Sequence, residues 1–238
     1  TVDININFKE DEMYIQGMDS SHCSMFEICL KKEWFEDYQC NETTIVGINS
    51  LVLYKIFSTR QENQIIVMEY ENDNDKLDIC FKNLEKTENE FQKEFSIPLM
   101  DIESDMLGVP EVEYDIFINI NTKSFTTMVS QLEIFGDLVT LDYSKEKLFL
   151  KADGDNGKIG IVLKDEKTNN LNKCDISIED NMCLSYSVKY ISYFCSFSKI
   201  NSNVNILFKE SMPMLVHYEL ENSNDSYIKF YLAPKIDD

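Results

Sequence analysis

The sequence predicts an α+β fold with many short strands and few helices. Two observations carry this. Apolar and polar residues alternate over Ile4-Asn5-Ile6-Asn7-Phe8, Met13-Tyr14-Ile15, Phe26-Glu27-Ile28-Cys29-Leu30 and Ile116-Phe117-Ile118-Asn119-Ile120, and a period of two marks half-buried strands. Three other segments switch to helical spacing, and each leads toward a β-type run such as Ile65-Ile66-Val67 or Leu138-Val139-Thr140-Leu141, the mix expected when helices and antiparallel strands share a core.

Turn clusters separate the strands, among them Lys9-Glu10-Asp11-Glu12 and Ser144-Lys145-Glu146-Lys147. With only seven Gly and four Pro in 238 residues, Asn, Asp, Ser and Lys must make most turns. The first helix is expected over Asn49–Arg60, burying Val52, Leu53, Ile56 and Phe57. The second, Ser124–Glu133, sets Phe125, Met128, Val129 and Leu132 on one stripe, and the third, Ser187–Phe197, buries Val188, Ile191, Phe194 and Cys195. Phe8-Lys9-Glu10-Asp11-Glu12-Met13-Tyr14-Ile15 and Tyr143-Ser144-Lys145-Glu146-Lys147-Leu148-Phe149-Leu150 echo one another as strand, charged turn, strand. The echo suggests two similar halves. Between them the prolines and Gly108 of Pro98–Pro110 suit an extended crossover rather than a helix.

The formal net charge is -21, which by itself argues against phosphate binding. Net charge does not say where charges sit, however. The outward sides of the three helices carry Ser50, Tyr54, Lys55 and Ser58; Thr126, Thr127, Ser130, Gln131 and a single acid, Glu133; and Lys189, Ser192, Tyr193 and Ser196. Lys123 and Lys199 flank two helices and Arg60 ends the third. Two readings stay open: ordinary polar helix surface, or a shared surface kept tolerant of a polyanion, with hydroxyl and amide groups reaching phosphate oxygens without reading sequence.

Other function classes find poor material. No stretch approaches the roughly 18 apolar residues of a membrane span, and no signal peptide or transit segment is evident. Seven cysteines occur without a C-x-x-C pair and with only His22 and His217 beside them, so no metal site and no cofactor are expected. The thiols are read as reduced and mostly buried. His22 follows Asp-Ser-Ser, but no Gly-x-Ser-x-Gly elbow accompanies it and His217 lies in a strand-like run. No catalytic residue is assigned, and the chain is not read as an enzyme. Asp73 and Asp75 read as a solvated loop. The chain begins Thr1-Val2-Asp3 without Met, so a preceding piece is expected.

Three stretches carry a family resemblance: Gln16-Gly17-Met18-Asp19-Ser20-Ser21-His22; Leu99-Met100-Asp101-Ile102-Glu103-Ser104-Asp105-Met106-Leu107-Gly108-Val109-Pro110-Glu111; and Tyr231-Leu232-Ala233-Pro234-Lys235-Ile236-Asp237. Together they resemble the proliferating cell nuclear antigen family of DNA sliding clamps, over essentially the whole chain. The resemblance implies a sliding-clamp fold with two similar domains per subunit, here 1–99 and 115–238, joined by an interdomain connector over 100–114. Helices would line a pore, antiparallel sheets would lie outside, and edge-to-edge pairing through Gln92–Leu99 and Lys158–Lys164 would close a homotrimer.

The implied function is a polymerase processivity factor that encircles double-stranded DNA without reading its sequence. It would tether DNA polymerase, clamp loader, nuclease and ligase through short interaction peptides. The DNA-facing residues would be Lys55, Arg60, Lys123, Lys189 and Lys199. The partner-peptide groove would comprise Met18, His22, Cys23 and Met25, then Leu107, Val109 and Pro110, then Pro213, Tyr231, Ala233, Pro234 and Lys235. The sequence also departs from the family. The family's first strand and first pore-lining helix would precede Thr1. Positions 127 and 130, usually basic, are Thr127 and Ser130, and position 196, often Lys, is Ser196. DNA binding is therefore expected to be weak. Alternatives within the fold are a checkpoint-type heterotrimeric clamp subunit, or an interaction module with weak DNA binding. The resemblance implies replication work in the nucleus, or in a cytoplasmic factory if viral. Richness in Asn, Ile, Lys and Tyr suggests an AT-rich genome, of a protist or a large DNA virus.

Overall fold

The computed structural model describes residues 2–72, 74–84, 91–103, 106–109, 112–144, 147–163, 173–177, 181–220 and 225–235. Asp73, Lys145, Glu146, Lys164, Pro110, Ile236 and Asp237, all named above, lie outside the described residues.

The first half runs β1 (Asp3–Phe8), β2 (Glu12–Met18), β3 (Ser24–Lys31), β4 (Thr44–Asn49), α1 (Ser50–Phe57), β5 (Gln64–Glu69), β6 (Lys76–Asn83) and β7 (Lys93–Pro98). The second runs β8 (Ile116–Asn121), α2 (Thr122–Glu133), β9 (Leu138–Ser144), β10 (Lys147–Gly154), β11 (Gly157–Leu163), β12 (Lys173–Ile176), β13 (Met182–Ser187), α3 (Val188–Cys195), β14 (Asn203–Phe208), β15 (Met214–Glu219) and β16 (Tyr227–Leu232). The alternating segments all form strands, and every strand pairing is antiparallel.

The echo is structural. Strand order β3-β2-β1-β4 matches β11-β10-β9-β13, α1 matches α3, and β5-β6-β7 matches β14-β15-β16. Among the described residues, the unit β8–α2 has no counterpart in the first half. The halves meet where β16 pairs with β3, from Tyr227↔Cys29 to Leu232↔Ser24. That pairing makes one nine-stranded sheet, β12-β8-β14-β15-β16-β3-β2-β1-β4, crossing the molecule.

Two cores result. The smaller packs Ile6, Ile15, Val46, Ile48, Leu77, Ile79, Phe81 and Ile97, with Leu53, Ile56 and Phe57 of α1 against it. The larger joins the inward residues of β8–β10 and β13–β16 to Phe125, Val129 and Leu132 of α2 and Ile191 and Phe194 of α3. The crossover begins beside Gly47. A Cβ there would meet the Met100 carbonyl oxygen at 2.2 Å, and the Met100 N–H donates to the Gly47 carbonyl at 2.8 Å. The described part of 99–109 holds neither helix nor strand.

Three expectations need correction. The helix bounds differ: α1 ends at Phe57, leaving Arg60 beyond it, α2 starts two residues earlier, at Thr122, and α3 spans only Val188–Cys195. Asn49 and Asn121, the last residues of β4 and β8, accept N–H bonds from the first helical turn and so set where α1 and α2 begin. Second, Val52 is exposed, as are Leu51 and Tyr54. Among the described residues α2 and α3 pack on one another, and α1 packs on the smaller core through Leu53, Ile56 and Phe57. Third, the thiols form no disulfide among the described residues but are not mostly buried: Cys29, Cys174 and Cys195 are buried, Cys40 and Cys80 intermediate, Cys23 and Cys183 exposed.

Candidate clamp surfaces

The nine-stranded sheet separates two chemistries. Because side chains alternate across a strand, Phe26, Ile28, Val216 and Phe230 join the cores, while their neighbours Met25, Leu215 and Tyr231 form a cluster on the opposite face. Met18, Val109, Tyr114 and Leu207 pack against that cluster, half-buried. The helices thus share a core with one face of the sheet, and a smaller apolar cluster occupies the other.

Of the sequence-derived groove residues, Met18, Met25, Val109 and Tyr231 come together. Leu107 is held from both sides of its backbone: its N–H donates to Gln16 Oε1 at 2.8 Å, and its carbonyl accepts from Gln16 Nε2 at 2.9 Å. The Ala233 N–H donates to the Cys23 carbonyl at 2.9 Å. Lys235 instead turns its backbone to β13, donating to the Ser185 carbonyl at 2.7 Å. His22, Pro213 and Pro234 are outside the apolar cluster, on the turns before β3, before β15 and after β16. His22 takes a positive φ of 56°. Its turn is organised by Asp19, whose carboxylate accepts the N–H groups of Ser21, Cys23 and Ser24 and the Tyr190 hydroxyl of α3. Burial pushes the Asp19 carboxyl upward, but these bonds outweigh it and hold the group well below the usual range.

Sequence reasoning missed Gln16, Tyr114, Leu207, Leu215 and Glu27. Leu215 lies in the unbroken apolar run Met214-Leu215-Val216, where alternation gives no sign of which face it takes. Glu27 interrupts an apolar strand, a signal that points to a partnered buried carboxylate. It is buried and accepts from Tyr14 at 2.5 Å and Tyr231 at 2.8 Å.

On the helix side, Lys55, Lys123, Lys189 and Lys199 are all exposed. Arg60 is exposed too, but its guanidinium is committed to its own loop, with Nε donating to the Gln64 carbonyl at 2.8 Å. No helix has an acid in its first turn, although the macrodipole favours one there. Glu133 is the single acid in the three helices, in a chain with 43 acids. The hydroxyls behave differently from the expectation that they would reach phosphate. Thr126, Thr127 and Ser130 each donate to the carbonyl four residues back at 2.9 Å, as does Ser58 to Tyr54 at 2.7 Å. Such back-bonding occupies the donor. The helices thus present exposed lysines and a single acid, with these hydroxyls occupied inside their own helices.

No group of three or more His, Cys, Asp or Glu converges to hold a metal among the described residues. No described helix is long and apolar enough to cross a membrane.

Family models for the N-terminal and C-terminal domains of proliferating cell nuclear antigen match residues 1–107 and 108–235. The chain belongs to the proliferating cell nuclear antigen family. It is 31% identical over 240 residues to the proliferating cell nuclear antigen of Chaetomium thermophilum, covering 99% of this chain and 90% of the relative. The α+β sliding-clamp fold is thereby shown. The two antiparallel halves with their three helices are the two domains of that family, whose members are clamps rather than enzymes and act in DNA replication.

Proposed function

We propose that this chain closes into a homotrimeric ring that encircles duplex DNA and acts as a polymerase processivity factor. The observation that carries the reading is the division of chemistry across the nine-stranded sheet: a helix side with one acid and exposed lysines, and an apolar groove on the reverse. A closed ring needs little affinity, because topology retains the DNA. Lys55, Lys123, Lys189 and Lys199 centre the duplex through sequence-independent attraction, and acids elsewhere repel DNA from the wrong side. Subunits pair head to tail through β7 and β11, each bonded on one side only among the described residues, which also covers edges that invite aggregation.

The groove takes a short peptide with one glutamine, an aliphatic plug and two aromatics, as polymerase, clamp loader, nuclease and ligase would carry. Met18 and Met25 adapt to the plug, and Tyr231 and Leu215 receive the aromatics. Residues 1–99, 100–114 and 115–238 serve as domain, connector and domain. The site of action is the nucleus.

The test is sedimentation of the chain alone, followed by loading onto nicked circular DNA. A trimer that stays on the circle and is lost on linearisation is expected. A stable monomer would favour a heterotrimeric checkpoint-type subunit. The commitment of Arg60 and the helix hydroxyls to local carbonyls favours a second reading, an interaction module with weak DNA binding; a trimer that never loads would support it. Replacing Lys55→Glu and Lys189→Glu together is expected to cut processivity without breaking the ring, and unchanged processivity would count against the inner-face assignment.

A further inference from the structure

We infer that Glu27 is a positioning residue that ties the floor of the groove to the connector above it. Its carboxylate sits mid-strand on the groove side of β3, between Met25 and Cys29, where an apolar residue would ordinarily pack. It is 6% exposed. Among the described residues no cation lies within ion-pair distance: Lys229, opposite it in register, turns its Nζ over the Tyr227 ring at 4.1 Å. Burying a carboxylate without a cation is costly, and two phenol hydroxyls supply what offsets it.

Those hydroxyls lead in two directions. Oε2 accepts from Tyr231, the aromatic wall of the groove. Oε1 accepts from Tyr14, and the Tyr14 oxygen in turn accepts from Gln16 Nε2 at 3.2 Å. Gln16 then grips both the N–H and the carbonyl of Leu107. The relay Tyr231–Glu27–Tyr14–Gln16–Leu107 therefore spans three adjacent strands and the connector. Each hydroxyl proton is spoken for, and each carboxylate oxygen receives one. Burial, and then Glu27 itself, keep both tyrosines protonated well above the usual phenol range, so both remain donors at physiological pH.

The relay fixes two things at once: the tilt of the Tyr231 ring, and the height of Leu107 over the cluster of Met18, Met25 and Val109. A structural carboxylate that merely filled space would affect stability alone. This one sets how wide the groove stands before a peptide arrives, and a groove already formed does not have to be ordered by its ligand.

The inference rests on the peptide-groove reading, so the test has two arms. In the first, a fluorescent synthetic peptide with one glutamine, an aliphatic plug and two aromatics is titrated onto the full chain. In the second, hydrogen exchange of the Leu107 amide is followed without peptide. Glu27→Leu is expected to weaken the peptide about tenfold and to speed Leu107 exchange by a similar factor, the scale of one lost hydrogen bond to a charged group. Glu27→Gln is expected to stay within about threefold in both, because its amide oxygen still accepts and a tyrosine oxygen can accept from its NH₂. Wild-type binding and exchange in Glu27→Leu would overturn the inference. So would equal losses in Leu and Gln variants with Leu107 exchange unmoved. Should Glu27→Leu not fold, Tyr14→Phe must speed Leu107 exchange and Tyr231→Phe must weaken the peptide; the absence of both effects would overturn the inference. If the wild-type chain ignores the peptide, the groove reading falls, and the exchange arm alone decides the relay.

Discussion

Replacing Tyr186 by Phe should stabilise this protein, although Tyr186 is among its most buried side chains. Its ring sits in the larger core, 1% exposed and 5.9 Å from Phe208, and its hydroxyl finds no hydrogen-bond partner among the described residues. It borders an internal cavity of ≈ 30 Å³ whose other walls include Ile118, Phe125, Leu141, Leu150 and Met214. Burial first, and Tyr114 second, raise its phenol well above the usual range. A buried, unsatisfied hydroxyl costs about 1–3 kcal/mol. Removing it leaves a void smaller than a methyl group, so the low end applies, about 1 kcal/mol of net gain. For a chain of this size that corresponds to a rise of about 3 °C in the unfolding midpoint.

Tyr218 provides the control, since it is 0% exposed but donates to the Phe194 carbonyl at 3.1 Å. Tyr218→Phe should cost about 1 kcal/mol, because that hydrogen bond is lost. Urea unfolding of both variants, at one chain concentration because assembly adds to apparent stability, gives the two signs side by side. If Tyr186→Phe destabilises as much as Tyr218→Phe, the hydroxyl has a partner, such as a water held in the adjacent cavity, and the reasoning is refuted.

Two further predictions concern pH. Burial pushes Glu12 upward, but hydrogen bonds from Lys31, Lys9 and Cys29 outweigh it and bring the carboxyl down to about 2 from 4.5. Its folded value lies below its unfolded one, so its stabilisation is complete above pH 4.5 and lost as pH falls toward about 2. Glu12→Gln should therefore unfold more readily than wild type at neutral pH, with the gap closing over that window; a constant gap in acid titrations would contradict the assignment. His217 is lowered from 6.5 to about 4, by burial first and by Lys229 second. As the neutral imidazole is the folded form, wild type should lose stability between pH 6.5 and about 4 relative to His217→Phe; parallel pH profiles would show that the imidazole titrates freely.

Much of this architecture was legible in the sequence. Period-two alternation located β1, β2, β3 and β8 because successive side chains take opposite faces of the sheet, so the residues of each strand that meet a core recur at every second position. The three motif stretches identified the family, and the near absence of acids from the helical segments was countable before any fold was known. The starts of α1 and α2 differ from expectation because Asn49 and Asn121 are caps, and a cap is recognised only by the N–H groups its side chain accepts.

Tertiary structure alone decided the rest. Val52 sits on an apolar stripe, yet burial depends on what packs against the stripe: among the described residues α2 and α3 cover each other, and Val52 is exposed. Leu207, Leu215 and Tyr114 reach the groove because β16 pairs with β3, and no local pattern announces a pairing between strands nearly the whole chain apart. Hydroxyls that looked available to phosphate bond the carbonyls one turn behind them. Glu27 stands in the sequence as one acid among 43; only the fold brings Tyr14 and Tyr231 to its two oxygens. Local periodicity follows from how a strand or helix divides its side chains between faces, whereas the identity of what meets each face is fixed by long-range packing.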